Sequence, residues 1–348
     1  MEHKKDIPAH IANKIKALRR ETVSPQHLVN GILKADKAAL GKAITLLESS
    51  KMEHASMADE VIEKCLPHAS NSVRIGITGV PGVGKSTFIE VFGKTLTGLG
   101  KKVAVLAVDP SSSLSKGSIL GDKTRMEDLS KDANAFIRPS PSGESLGGVA
   151  QKTRETVILC EAAGYDVILI ETVGVGQSET VVHSMVDFFL LLKLSGAGDE
   201  LQGIKRGIME MADAIAINKA DGKNVDRARL AQTEFSRALH LYPPKENEWT
   251  PKVLSCSATE NTGILEIWDT ISDFLEKTKK NGHFQRNRNL QNKNWFLQSL
   301  NQQLTQIFQQ NDTFLKARKS MLLAVEKNTV SPFKAAKEVL KVIHNQLK

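Results

Sequence analysis

The sequence has 348 residues, of which 41% are hydrophobic and 25% are charged, and its formal net charge is +8. This composition excludes a disordered or fibrous chain, and no apolar run approaches the 18 residues that a transmembrane helix needs. The amino terminus has neither the apolar core of a secretory signal nor the composition of a transit peptide. We therefore expect a cytoplasmic protein without a membrane association.

The positive charge comes from one end of the chain. Residues 281–348 hold eleven basic and three acidic side chains, which accounts for the whole net charge. These basic residues alternate with an apolar stripe at helical spacing, formed by Phe296, Leu300, Leu304, Ile307 and Phe308. Such a pattern is typical of a packing helix with a solvated face. No nucleic-acid-binding motif accompanies the charge, so we expect no nucleic-acid partner.

Three regions follow one another along the chain. Residues 1–68 predict helices, one of them opened by Ser24 as N-cap and Pro25 at the first helical position. Residues 69–280 alternate helical stretches with the apolar runs VRIGITG, VAVLAVD, DVILIE, DFFLLLKL, AIAINKA and KVLSCSA. Runs that are apolar on both faces predict a doubly wound α/β fold with a mostly parallel sheet. Residues 281–348 predict two or three more helices.

The segment GVPGVGKST, which begins at Gly79, matches the phosphate-binding pattern G-x-x-x-x-G-K-[ST] between a predicted strand and a predicted helix. Its glycines allow successive backbone N–H groups to converge on phosphate oxygens. We expect Lys85 to reach the β and γ phosphates and Ser86 to ligate Mg²⁺. The predicted nucleotide-binding residues of this loop are Gly79, Gly82, Val83, Gly84, Lys85, Ser86 and Thr87.

Two short motifs select the base of the nucleotide. INKAD contains Asn218, Lys219 and Asp221 after an apolar run, and a carboxylate there can accept from both N1–H and the amine of guanine. Adenine has no proton on N1, so Asp221 favours GTP and GDP over ATP, with the stem of Lys219 along the base. SCSA adds Ser257 and Ala258, and we expect the Ala258 N–H to donate to guanine O6.

Carboxylates at predicted strand ends are the candidates for the magnesium and switch functions. Asp109 and Glu171 each end an apolar run, and Asp122 lies in GSILGDKTRM. In ETVGVGQSE, Gly174 is placed to donate its N–H to the γ-phosphate, and Gln177 is a candidate for orienting the attacking water. We assign Lys85, Gln177 and Asp109 to catalysis.

These segments, together with AVDPSS and GAGDELQGIKRGIME, resemble the methylmalonyl-CoA mutase-associated GTPases, called MeaB or ArgK in bacteria. The resemblance implies a GTPase that chaperones an adenosylcobalamin-dependent acyl-CoA mutase, gates its cofactor loading and protects it from inactivation. It also implies a homodimer formed through the C-terminal helices.

The resemblance also implies roles for individual residues. It places the Mg²⁺ environment on Ser86, Asp109, Asp122 and Glu171. It places an additional switch on residues 195–205, where Asp199 and Lys205 couple the nucleotide to the partner. The first switch departs from the family pattern in two details: Lys123 stands where arginine is commoner, and SSSLSKG replaces a stretch that usually contains proline.

Other functions remain open from the sequence alone. The family has also carried the label of an ATP-dependent kinase or transport ATPase for basic amino acids, against which Asp221 argues. A metal-insertion GTPase would need a metal-holding cluster, and the nine histidines and three cysteines show no such spacing. A module that binds GTP without hydrolysing it is also compatible with the motifs.

Overall fold

The computed structural model describes residues 24–49, 51–69, 72–108, 126–139, 146–172, 178–195 and 206–346. The chain divides into two compact units, Met1–Gln285 and Arg286–Lys348. The predicted sites lie in the first unit, and most of the basic, apolar-striped segment lies in the second.

Between residues 24 and 69, the described part of the chain before the first strand contains three helices: α1 (Pro25–Leu33), α2 (Lys37–Leu47) and α3 (Met52–Cys65). Ser24 caps α1 as the sequence predicts, because its Oγ accepts from the His27 N–H across 3.2 Å. A short 3₁₀ turn, Leu66–His68, then leads towards the sheet.

A seven-stranded sheet forms the centre of the first unit. The strands are β1 (Val73–Gly79), β2 (Val103–Val108), β3 (Ala135–Arg138), β4 (Val167–Thr172), β5 (Phe188–Leu194), β6 (Ala214–Asn218) and β7 (Lys252–Ser255). Their order is β3-β2-β4-β1-β5-β6-β7, and each neighbouring pair is parallel. The doubly wound α/β fold is thus confirmed. Six strands coincide with the predicted apolar runs, and the seventh, β3, is a four-residue edge strand that the sequence did not reveal.

Helices cover both faces of this sheet. They are α4 (Lys85–Gly98), α5 (Glu127–Ser130), α6 (Leu146–Ala162), α7 (Ser178–His183), α8 (Arg206–Met211), α9 (Val225–Leu239) and α10 (Ile264–Lys280). One buried cluster packs Phe88 and Phe92 of α4 with Phe274 of α10 and with β1, β4 and β5. A second cluster packs Phe235 of α9 against the other face, at β5 and β6. The strands are therefore buried on both sides, which explains their continuous apolar sequences.

Three helices complete the chain: α11 (His283–Gln309), α12 (Asp312–Glu326) and α13 (Pro332–Gln346). The first begins in the first unit and continues into the second. Pro332 opens α13 as predicted, and the Ser331 hydroxyl accepts from the Lys334 N–H across 3.3 Å. Within the described part of the chain, no helix is long and apolar enough to cross a membrane.

Candidate nucleotide-binding site

The phosphate loop, Glu171 and the predicted guanine motif lie at one edge of the sheet. β1 ends at Gly79, β4 ends at Thr172 and β6 ends at Asn218. Because all three strands are parallel, their carboxyl ends open on the same side. The fold therefore brings together loops from distant parts of the chain. Gly79 and Asn218, where two of these loops begin, are 139 residues apart in the sequence.

Two glycines of the phosphate loop sit where a side chain would not fit. A Cβ at Gly79 would lie 2.6 Å from the carbonyl oxygen of Leu192. Gly84 has φ +90° and precedes α4, and a Cβ there would lie 3.0 Å from the side-chain amide nitrogen of Asn218. The pattern of glycines is thus required by close approach at Gly79 and by a left-handed backbone at Gly84.

Lys85 is the first residue of α4, and its ammonium forms a hydrogen bond with the backbone of the phosphate loop. The Nζ atom donates to the Gly79 carbonyl oxygen across 2.7 Å. Burial lowers the pKa of Lys85, while the negative charges of Glu171 and Glu179 act in the opposite direction and favour the charged form. An ammonium beside the phosphate loop, at the amino end of a helix, is placed for phosphate binding.

Glu171 and Glu179 are both buried beside the phosphate loop. Glu171, the penultimate residue of β4, is 5% exposed, and Glu179, in the first turn of α7, is 1% exposed. Glu171 is among the residues predicted from the sequence, and Glu179 is not. The sequence signal that could have identified Glu179 is its position in ETVGVGQSE, at the start of a helix that follows the loop after a strand. Its burial, however, depends on how α7 packs onto β1 and β4.

The described residues fit a magnesium ion of the kind found in phosphate-transferring proteins. The Ser86 hydroxyl in the first turn of α4 and the buried Glu171 carboxylate are hard oxygen ligands, and Mg²⁺ usually takes one or two such ligands together with phosphate oxygens. Among the residues that the structure describes, no group of three or more His, Cys, Asp or Glu side chains could hold a metal ion. Six predicted site residues lie outside the described residues: Asp109, Asp122, Gly174, Gln177, Asp199 and Lys205.

The guanine motif is tied directly to the phosphate loop. Asn218 is 1% exposed, and its Nδ2 donates to the Val83 carbonyl oxygen across 2.8 Å. Lys219 has φ +60°, and its Nζ donates to the Gly82 carbonyl oxygen across 2.9 Å. The Ala258 N–H, which the sequence assigned to guanine O6, here donates to Asn218 Oδ1 across 3.3 Å. Base and phosphate segments are therefore held in a fixed relation.

Two hydroxyl groups orient the Asp221 carboxylate. Its Oδ2 atom lies 2.5 Å from Ser257 Oγ and 3.2 Å from Thr259 Oγ1, and both hydroxyls are placed to donate to it. The Ser257 oxygen accepts in turn from the Glu260 N–H across 3.1 Å. Thr259 was not among the predicted residues, although it directly follows SCSA. Its contribution depends on the turn that brings residues 257–262 back against Asp221.

Comparison with known proteins agrees with this geometry. The family model of the methylmalonyl-CoA mutase-associated GTPase MeaB matches residues 40–313. GTPase ArgK of Escherichia coli (strain K12) is 46% identical over 318 residues, which cover 91% of this chain and 96% of that protein. The Mus musculus protein named methylmalonic aciduria type A homolog, mitochondrial, is 44% identical over 329 residues, which cover 92% of this chain and 79% of that protein.

A solved structure extends the likeness to three dimensions. The crystal structure of a protein named LAO/AO transport system kinase matches with a TM-score of 0.74 and 39% sequence identity, over 93% of this chain and 99% of that one. The residues that the family model matches, 40–313, include the sheet, the phosphate loop and the guanine motif. This chain therefore belongs to the family of methylmalonyl-CoA mutase-associated GTPases, MeaB, as its motifs predict.

Proposed function

We propose that this chain binds and hydrolyses GTP as a chaperone of an adenosylcobalamin-dependent acyl-CoA mutase, gating its cofactor loading and protecting it. The observation that carries the proposal is the Asn218–Val83 hydrogen bond, which joins the guanine-reading strand end to the phosphate loop. Family membership over residues 40–313 supports the class of partner. Methylmalonyl-CoA mutase is the first mutase to test.

In this proposal, each residue of the site has a defined task. The Lys85 ammonium exchanges the Gly79 carbonyl for the β and γ phosphates, Gln177 orients the attacking water and Asp109 assists it. Gly174 donates its N–H to the γ-phosphate. Ser86, Asp109, Asp122 and Glu171 hold Mg²⁺, which when bound neutralises charge on the phosphate oxygens.

The proposed coupling to the partner resides in Asp199 and Lys205. Their charges would form different ion pairs in the GTP-bound and GDP-bound states. A bound nucleotide can change the affinity for a partner only through such differences between the two states. We expect the mutase to accelerate GTP hydrolysis, and Asp199→Ala or Lys205→Ala to lose most of this acceleration while intrinsic hydrolysis stays within a few fold. Full stimulation of both variants would exclude the coupling role, and an unstimulated wild type would exclude the mutase partner.

The same assay separates the alternatives. A kinase or transport ATPase for basic amino acids should prefer ATP over GTP and respond to the amino acid rather than to the mutase. A metal-insertion GTPase should bind the transition metal in equilibrium dialysis and transfer it to an acceptor protein. Preference for GTP, with stimulation by the mutase alone, supports the chaperone.

We also propose that the chain forms a homodimer through its C-terminal helices. On α11, Phe296, Leu300, Leu304 and Ile307 follow one another at spacings of three or four residues and are 42–65% exposed. Phe308, the fifth residue of the predicted stripe, stacks on Phe314 of α12 at 5.5 Å between ring centroids and is half-buried. An exposed apolar stripe of this kind is typical of a helix that pairs with another copy.

Sedimentation of two matched variants tests the dimer. Leu300→Glu places a charge in the stripe and should give a monomer that still binds GDP. Gln306→Glu places the same charge on an exposed position away from the centre of the stripe and should leave the dimer intact. Equal sedimentation of wild type and Leu300→Glu would contradict the proposed interface.

The domain boundaries after residues 68 and 280 and the cytoplasmic location stay predictions. Limited proteolysis with mass spectrometry of the fragments tests the boundaries, because linkers between folded parts are cut first. Fractionation of the source cells tests the location.

A further inference from the structure

The backbone pairing of two central strands ends directly before the phosphate loop. β1 and β4 pair from Val73 opposite Val167 to Ile77 opposite Glu171. Beyond this point β1 stays with β5, up to Gly79 opposite Leu192, while β4 stays with β2, up to Val108 opposite Thr172. The backbone ladder between β1 and β4 therefore stops where their functional ends begin.

A side-chain hydrogen bond joins the next residues of these two strands. Thr172 Oγ1 donates to Thr78 Oγ1 across 2.8 Å, and the two residues are 0% and 1% exposed. Gly76, two positions earlier on the same face of β1, faces the side chains of Val182, Val186 and Phe189. Removing one partner of this buried hydroxyl pair leaves the other without this hydrogen bond, which lowers stability.

The two bridged strands carry groups that must act together. Gly79, directly after Thr78, begins the phosphate loop and offers the carbonyl oxygen that holds the Lys85 ammonium. Glu171, directly before Thr172, brings the buried carboxylate assigned to the magnesium side. The Thr172–Thr78 hydrogen bond thus joins the residue before the phosphate loop to the residue after the Glu171 carboxylate.

We propose that Thr78 and Thr172 are positioning residues, whose hydroxyl bridge fixes the Glu171 carboxylate relative to the phosphate loop for magnesium binding and GTP hydrolysis. The inference deepens the GTPase part of the proposed function and is independent of the mutase partner. Thr172 touches neither the nucleotide nor the reacting atoms in this scheme. It acts by preventing β1 and β4 from spreading at their ends, and a displacement of about 1 Å there costs up to about 100-fold in rate.

The exchange of threonine for valine tests the bridge, because valine has nearly the same shape but no hydroxyl. We expect Thr172→Val to lower kcat by about tenfold or more, to raise the Mg²⁺ concentration needed for tight GDP binding, and to leave GDP affinity at saturating Mg²⁺ within about twofold. Thr172→Ser keeps the donor and should restore both values. The double variant Thr78→Val/Thr172→Val should be more stable than Thr172→Val, since no hydroxyl is left unpaired. Its kcat should stay as low as that of Thr172→Val.

The matched control is Thr278→Val in α10. Thr278 is also 0% exposed, and its hydroxyl donates to the Phe274 carbonyl oxygen across 2.8 Å, far along the chain from the site. It should lose stability without a change in kcat or in the Mg²⁺ requirement.

Three outcomes would overturn the inference: wild-type kcat and Mg²⁺ requirement in Thr172→Val, the same changes in Thr278→Val, or no rescue by serine. The Mg²⁺ dependence of GDP binding is measured without turnover. A wild type that binds GDP with Mg²⁺ but does not hydrolyse GTP would therefore refute the proposed GTPase activity. The hydroxyl bridge would still be tested by the Mg²⁺ dependence of GDP binding.

Discussion

The side-chain amide nitrogen of Asn218 donates to the carbonyl oxygen of Val83 across 2.8 Å, although the two residues are 135 positions apart. The carbonyl oxygen of the same amide accepts from the Ala258 N–H. One buried side chain thus connects the phosphate loop with both guanine segments. Recognition of the base and of the phosphates is consequently a single geometric unit.

The first prediction concerns the base. Asp221→Asn replaces an acceptor with a donor, so it should weaken GTP binding by about 10-fold to 100-fold and improve binding of xanthosine triphosphate, whose ring presents an acceptor there. Titration with both nucleotides measures the exchange of specificity. Asp226→Asn, an exposed position in the first turn of α9, is the control and should change neither affinity. Unchanged GTP affinity in Asp221→Asn would remove Asp221 from the base site.

The second prediction concerns the phosphates. Lys85→Ala removes the cation that follows the charge developing on the phosphate oxygens, and hydrolysis should fall by about 100-fold or more. Ser86→Ala should instead raise the Mg²⁺ concentration required for half-maximal turnover. Lys102→Ala, an exposed lysine before β2, is the control. Turnover of Lys85→Ala at the wild-type rate would mean that the loop has only a structural role.

The third prediction concerns a buried ion pair at the opposite end of the strands. Arg74 donates through Nε and Nη2 to both carboxylate oxygens of Glu161, at 2.9 and 3.0 Å, with both side chains buried. Arg74→Met leaves the carboxylate without its charged partner, and the free energy of unfolding should fall by about 3–5 kcal/mol.

Two further variants check the origin of this effect by urea unfolding. The double variant Arg74→Met/Glu161→Leu should recover much of the loss, because no buried charge remains. Lys64→Met breaks an exposed pair with Glu60 and should cost no more than about 1 kcal/mol. A double variant as unstable as Arg74→Met would show that packing, and not the unpaired charge, is responsible.

The fourth prediction concerns acid stability. Asp132 accepts from Lys94 Nζ across 2.9 Å, from the Asn134 N–H and from Thr97 Oγ1, and these hydrogen bonds lower its pKa to about 2. Because the folded pKa lies below the usual 3.8, the carboxylate stabilises the fold above about pH 4, and this contribution is lost as the pH falls towards 2.

Unfolding measured between pH 2 and pH 7 checks this sign. Asp132→Asn should be less stable than the wild type above about pH 4, and the difference should shrink as the pH falls towards 2. Asp269→Asn, an exposed exchange on α10, should show no such trend. A stability difference that stays constant across this range would contradict the lowered pKa.

The interior strands of the sheet and the motifs at their ends could be recognised from the sequence alone. VRIGITG and AIAIN became β1 and β6 because a parallel strand covered on both faces must be largely apolar. Gly79, Gly84 and Lys85 were recognisable because phosphate binding imposes residue types at fixed spacing along one short segment.

The side chains that contact these motifs from elsewhere in the chain could be identified only from the folded structure. Thr259 contacts Asp221 through the turn after β7, and Thr172 contacts Thr78 because β4 lies beside β1. Both contacts depend on the packing of the whole sheet. A threonine has no distinctive spacing when its partner is 94 positions away. Glu179 is buried for the same reason, since the docking of α7 onto β1 and β4, and not its local sequence, removes that carboxylate from water.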